Sequence, residues 1–264
     1  MNETLQLSLI QMGLAYLLLI VVIVVVRIRG ISREKDILLA ALRMTLQLIL
    51  VGYLLVWIFD VMNPWLTAGV IALMEAFAVR TVYRRVKSPL SPALKRIIAA
   101  SIVLGTLACM LYFLLVVVRI RPWFDPRYFI PISGMLIGNS MTGISLGVNS
   151  LANGMRDRRD LVEGALMLGA SPRIAAKSVI DNAFDSAILP SINSMLGMGI
   201  VFLPGMMTGQ ILSGNSPLLA IRYQIAIMLG IMGSVSATVA LFVFFGYRSY
   251  FNRNAQLVLP EDPG

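Results

Sequence analysis

The sequence has no histidine and a single cysteine, Cys109. That excludes a disulfide framework, a metal site built on His or several Cys, and any catalytic base made from imidazole. Charge is also scarce: 13% of the 264 residues are Asp, Glu, Lys or Arg, against about a quarter in soluble domains. There is no G-x-x-x-x-G-K-[ST], so no P-loop is encoded, and neither G-x-S-x-G nor H-E-x-x-H occurs. The chain is therefore not expected to be an enzyme by itself, and no cofactor is expected. The Met-Asn-Glu start lacks a basic stretch, so a cleavable signal peptide is not expected and the first span reads as a retained anchor.

What is abundant is apolar length. Hydrophobic residues make up 58% of the chain and the mean hydropathy is +0.83. Only helices and closed barrels satisfy their backbone in lipid, and long continuous apolar runs rather than short alternating strands point to helices. The expected fold is an all-α integral membrane protein, one permease domain over residues 1–264. Its spans are expected at about 5–26, 37–59, 65–79, 97–118, 129–150, 184–212 and 218–247. The third is the shortest, and the sixth is interrupted by Pro190 and Pro204. The tail after Arg253 is polar and expected to fray.

Charge then orients the spans. The net charge of +9 fits the positive-inside rule better than nucleic-acid binding. If the segment after the first span faces the cytoplasm, inside segments carry 17 Lys or Arg and outside segments carry four: Arg119, Arg121, Arg127 and Arg222. The expected topology is N-terminus outside, C-terminus in the cytoplasm.

Between the fifth and sixth spans lies the longest amphipathic run, Arg156 to Asn182. Leu161, Ala165 and Leu168 recur at helical spacing, and Ile174, Ala175, Val179 and Ile180 continue an apolar face. Gly169 suits a left-handed helix stop, Ser171 an N-cap and Pro172 a first helical position. Two short helices with a Gly-Ala-Ser-Pro elbow, on the cytoplasmic side, are expected.

Glycine and polar residues mark the spans themselves. Gly134 and Gly138, Gly143 and Gly147, and Gly205 and Gly209 form three G-x-x-x-G pairs, which serve packing within the chain or a subunit interface. Ionisable groups at membrane depth cost about 3 kcal/mol each on insertion scales. Arg43 can snorkel to the cytoplasmic edge. Glu75, near the basic end of the short third span, either pairs with Arg80 or Arg43 or meets substrate. Asp181 and Asp185 suit capping of the sixth span. Asn139, Ser140 and Asn193 are oxygen-bearing candidates for a cation path. Pro204, followed by Gly205, is expected to free the carbonyl of Ile200 inside the sixth span, placing 200–209 along the path with Met206 and Met207 at a gate. No metal ligand set can be named.

Glu163-Gly164-Ala165, three residues, then Gly169 resembles the E-A-A-x-x-x-G loop by which permeases of ATP-binding-cassette (ABC) transporters seat in their ATPase. Gly164 stands where that motif has Ala, and Leu189-Pro190 falls later than its I-x-L-P. Further strings run along nearly the whole chain: Glu34 to Leu38, Gln47-Leu48, Val51 to Tyr53, Ile130 to Met135, Gly138 to Met141, Leu168 to Pro172, Leu203 to Gly209 and Tyr223 to Ile225. Together they resemble the FetB (YbbM) family of ABC permeases, associated with iron export and, in plant relatives, with aluminium tolerance. The resemblance implies a homodimer in a plasma (bacterial inner) membrane, bound to two copies of a separate ATPase. That ATPase would dock on Glu163, Gly164, Ala165, Gly169, Ala170, Ser171 and Pro172. The alternative is a self-sufficient gradient-driven carrier or channel, for which inverted repeats would speak; none is evident.

Overall fold

The computed structural model describes residues 8–86 and 88–259, and of Leu9 the backbone alone. The expected start of the first span at residues 5–7, Lys87 of the basic loop, and tail residues 260–264 lie outside these. Helices account for the architecture, with no strand among the described residues beyond two isolated bridges. The chain divides into two units.

The first unit is built on α1 (Leu9–Ile28) and α2 (Glu34–Val61), with Leu212–Gly214. Ser8 opens α1 with a capping box: its hydroxyl accepts from the Gln11 backbone N–H at 3.3 Å, and its own N–H donates to Gln11 Oε1 at 2.8 Å. Gly30 takes φ +68° in the turn to α2, and the Tyr16 and Thr45 hydroxyls join the two helices. Apolar side chains stand exposed all round α1, as a helix in lipid requires.

The second unit holds α3 (Pro64–Arg85), α4 (Pro92–Tyr112), α5 (Pro126–Asp157), α6 (Arg159–Met167), α7 (Pro172–Ala175), α8 (Lys177–Gly197), α9 (Gly205–Leu212, whose last residue belongs to the first unit) and α10 (Pro217–Gly246). One device opens five of them: proline at the first position, where its missing N–H is not needed. Asn63, Ser91 and Asp125 add side-chain caps. The last turn of α4 runs on as a π-helix, Phe113–Val118. α5 packs most extensively, against α8, α10 and α3, and α4 packs on α10. Leu136, Ile144, Val148, Leu151, Val239 and Phe242 fill the interior.

Close helix approach depends on glycine at one of the three pairs singled out from spacing, Gly143 and Gly147, and at positions that spacing did not mark. A Cβ on Gly143 would lie 2.7 Å from Val235 Cγ1, and one on Gly147 3.4 Å from Ala187 Cβ, so this pair packs α5 on α8 and α10. Gly105 meets the backbone of Thr238, and Gly154 meets Val179. Gly138, Gly205 and Gly209 have nothing within 4 Å of the same point, and Gly134 touches only the end of Met74.

Six helices among the described residues are long and apolar enough to cross a membrane: α1, α2, α3, α4 with its π-helical end, α5 and α10. The expected sixth span, 184–212, is not one helix. α8 runs unbroken through Pro190 and stops at Gly197, and α9 restarts at Gly205. Between them Gly199 takes φ +83°, the Val201 N–H reaches Gly197 O at 2.9 Å, and Gly199 N–H reaches Phe202 O at 2.9 Å. Gly197-x-Gly199 thus makes the break seven residues before Pro204. α8 has 21 residues, a length of about 30 Å, but its Asp, Asn and Ser residues interrupt the apolar run, and it is not among the six.

Candidate functional site

Segment 156–182 carries the first cluster. α5 is 32 residues long, about 48 Å, and so exceeds the ~30 Å hydrocarbon layer. Its far end hands over at Arg158 to α6. Gly169, at φ +85°, closes α6: its N–H reaches Leu166 O at 2.9 Å and the Ala170 N–H reaches Ala165 O at 3.0 Å, the paired bonds of a left-handed helix stop. Pro172 then opens α7. Ser171 stands in the cap position, but its side chain makes no capping bond, contrary to the sequence-based expectation. α7 is a single turn, and α8 begins at Lys177, so Asp181 lies in its second turn, paired with Lys177 at 2.8 Å, and neither it nor Asp185 caps the helix.

The segment is anchored on one side and open on the other. Val162 and Ala176 are buried. Arg158 donates to Ser178 Oγ at 3.3 Å, and the Arg173 guanidinium lies 5.9 Å from the Phe244 ring centre on α10. These contacts tie the segment to α8 and α10. On the open side Met167 and Leu168 are 86% and 91% exposed, with Leu161 and Ile174 also exposed. Glu163 pairs with Arg159 at 2.8 Å, and Gly164 has room for a Cβ.

Beside α6 lies an element that composition did not suggest. Residues 251–258 do not fray: they fold into a hook, with Val258 N–H on Tyr250 O at 2.8 Å and Asn252 N–H on Gln256 O at 3.0 Å. Asn252 Oδ1 accepts from the N–H groups of Asn254 and Gln256, an Asx turn. Hook and α6 enclose a groove of about 530 Å³ lined by Glu163, Met167 and Ala170 on one side and Asn254, Gln256 and Val258 on the other.

The second cluster is a polar face on α5 and α8. Asn139 and Thr142 on α5, and Asn182, Asp185 and Asn193 on α8, are exposed, and the Ser150 and Ser186 hydroxyls meet at 3.4 Å between the two helices. Asn139 donates its amide to Met135 O at 2.7 Å, a bond that does not use its side-chain oxygen. Amides and a carboxylate on an outward face are unsuited to lipid. Thr142 joins this face unforeseen, and Asp185 joins it instead of capping the helix; their three-residue spacing from Asn139 and Asn182 was the available signal.

The other path candidates are not brought to that face. Ser140 is fully buried, bonded to Ser234 at 2.9 Å. Pro204 precedes α9 instead of sitting inside a helix: its carbonyl accepts from Thr208 N–H at 2.9 Å, and Ile200 lies in the turn, 90% exposed. The expectation that Pro204 frees the Ile200 carbonyl within a helix is therefore corrected. Gly205 is the first residue of α9, Met206 is half-buried against the core and Met207 is buried. Glu75 falls in the middle of α3, since that helix runs to Arg85 and not to Val79. Its partner is the Thr106 hydroxyl on α4.

Comparison with known proteins agrees over almost the whole chain. Residues 9–251 match a family model described as "Uncharacterised protein family (UPF0014)". A UPF0014 membrane protein of Synechocystis sp. is 35% identical over 88% of this chain and 89% of its own. The "Probable iron export permease protein FetB" of Escherichia coli is 31% identical over 95% of each chain. The "Protein ALUMINUM SENSITIVE 3" of Arabidopsis thaliana is 34% identical over 87% of this chain and 82% of its own. No solved structure matches. With its spanning helices and near end-to-end similarity, the chain belongs to the UPF0014 family of membrane proteins, alongside FetB.

Proposed function

We propose that the chain is the membrane-spanning subunit of an ATP-driven exporter of a metal cation such as iron. A separate ABC-type ATPase docks on segment 156–182, and two copies of each make the transporter. The observation that carries this reading is the exposed apolar knob of Met167 and Leu168 on α6, set in a charged segment and mechanically tied to α8 and α10. Apolar side chains concentrated at such a site mark a protein partner. The resemblance of Glu163 to Gly169 to a permease loop names the kind of partner, and the similarity to FetB, a probable iron export permease, supports iron export.

The polar face of α5 and α8 supplies the path. Two copies meeting across it would double the oxygen donors of Asn139, Asp185 and Asn193, which suits a hard cation better than the inward-turned Met206 and Met207. The orientation is N-terminus outside and C-terminus inside, since 17 of the basic residues then face the cytoplasm. Affinity purification of the tagged chain from membranes tests the partner. A P-loop ATPase whose hydrolysis the chain stimulates should accompany the wild type and be lost from Glu163→Lys. Recovery of the chain without any such ATPase in mild detergent would contradict the proposal.

A further inference from the structure

Away from both clusters, α3 carries Ala68, Ala72 and Ala76 four residues apart. Their small side chains leave a cavity of about 830 Å³ walled by α4 and the start of α5. Its walls are almost wholly apolar, with Trp123 and Phe129 contributing rings, and Glu75 is the acid among its lining residues. Glu75 is only 5% exposed; one carboxylate oxygen takes the Thr106 hydroxyl and the other has no hydrogen-bond partner. Even the first bond is shared, because Thr106 has one hydroxyl hydrogen and also lies 2.7 Å from Ile102 O.

A buried carboxylate so poorly partnered is costly, and a counter-charge removes the cost. A hydrated hard metal ion does not fit. Such ions take about six or more oxygen ligands, and no group of three His, Cys, Asp or Glu occurs among the described residues. An organic cation with its charge wrapped in an apolar body does fit: the apolar walls suit the body, Trp123 and Phe129 supply aromatic surface, and the volume falls in the range of about 300–1,000 Å³ typical of small-molecule sites. Arg80, exposed at the rim, disfavours a second positive charge. We infer that this cavity binds a lipophilic organic monocation, with the Glu75 carboxylate as counter-ion and Thr106 positioning that carboxylate. The site stands independently of ATPase docking.

The test uses the purified full chain in detergent and equilibrium dialysis with tetraphenylphosphonium. Triphenylphosphine oxide serves as an uncharged comparator of similar aromatic character. Tetraphenylphosphonium should bind at least about tenfold more tightly than the oxide, and Glu75→Gln should remove that advantage, the factor expected for one charge-assisted contact. Ala72→Phe, which fills the cavity and keeps Glu75, should abolish binding of both and decides the matter even if Glu75→Gln does not fold. Equal binding of the two probes by the wild type, or undiminished tetraphenylphosphonium binding by either variant, overturns the site and leaves the exporter reading intact.

Discussion

Replacing Gly169 by valine isolates the docking geometry from the rest of the molecule. Gly169 sits at φ +85° and a Cβ there would meet nothing within 4 Å, so the change introduces backbone strain and no clash. A β-branched residue at positive φ costs about 1–3 kcal/mol, and the end of α6 can relieve this only by giving up the bonds from Gly169 to Leu166 and from Ala170 to Ala165. If the ATPase binds the closed form of this stop, its affinity falls by roughly 5- to 150-fold. The segment is exposed here, so the melting temperature of the chain should stay near that of the wild type. Asparagine tolerates the left-handed region and should lose less. Gly164→Ala, mid-helix with open space and matching the E-A-A pattern, should dock as the wild type does. The assay is ATPase binding to detergent-solubilised chain by surface plasmon resonance. Wild-type affinity in Gly169→Val would refute the coupling of this backbone conformation to docking.

Other perturbations read the core and the polar face. In Gly105→Ala the new Cβ falls 2.7 Å from Thr238 Cα, and backbone cannot rotate away; overpacking of this kind costs about 1–3 kcal/mol and should lower the melting temperature by several degrees, whereas Gly138→Ala, with open space, should not. Equal melting of the two would refute the packing account. Asn139→Leu and Asn193→Leu should keep fold and ATPase association yet slow ATP-dependent export by about tenfold or more, as loss of one oxygen ligand or hydrogen bond implies; full export in both would move the path elsewhere. Ser140→Ala removes a buried bond to Ser234 and should cost about 1 kcal/mol of stability with export otherwise unaffected, which a thermal melt and a transport assay read separately.

Much of the helical layout was legible because apolar runs and helix-opening prolines are local signals. α1, α2, α4 with its π-helical end and α10 fall within about five residues of the runs that marked them, α5 runs seven residues past its expected end, and Gly169 and Pro172 take the conformations their chemistry favours. α3 was cut short because Arg80, Arg84 and Arg85 read as loop, although a helix can carry basic residues past the hydrocarbon edge. The sixth span was mislaid for a related reason. Proline is a strong sign of interruption, yet Pro190 is accommodated within α8, while the break depends on positive φ at Gly199, a conformation that composition does not display. Tertiary pairing was the least legible level. Nothing local distinguishes Gly143, pressed against Val235, from Gly138, facing open space. Nor does anything in the tail's polarity announce that Asn252 would fold it into a hook beside α6.

Reconstitution into proteoliposomes tests the central claim most directly. The chain is incorporated alone or with its ATPase, and ferrous iron movement is followed with ATP, with an imposed ion gradient, or with neither. The account predicts movement only when both ATPase and ATP are present, abolished by Glu163→Lys. Iron movement through the chain alone, driven by the gradient and indifferent to ATP, would contradict it and establish a self-sufficient carrier.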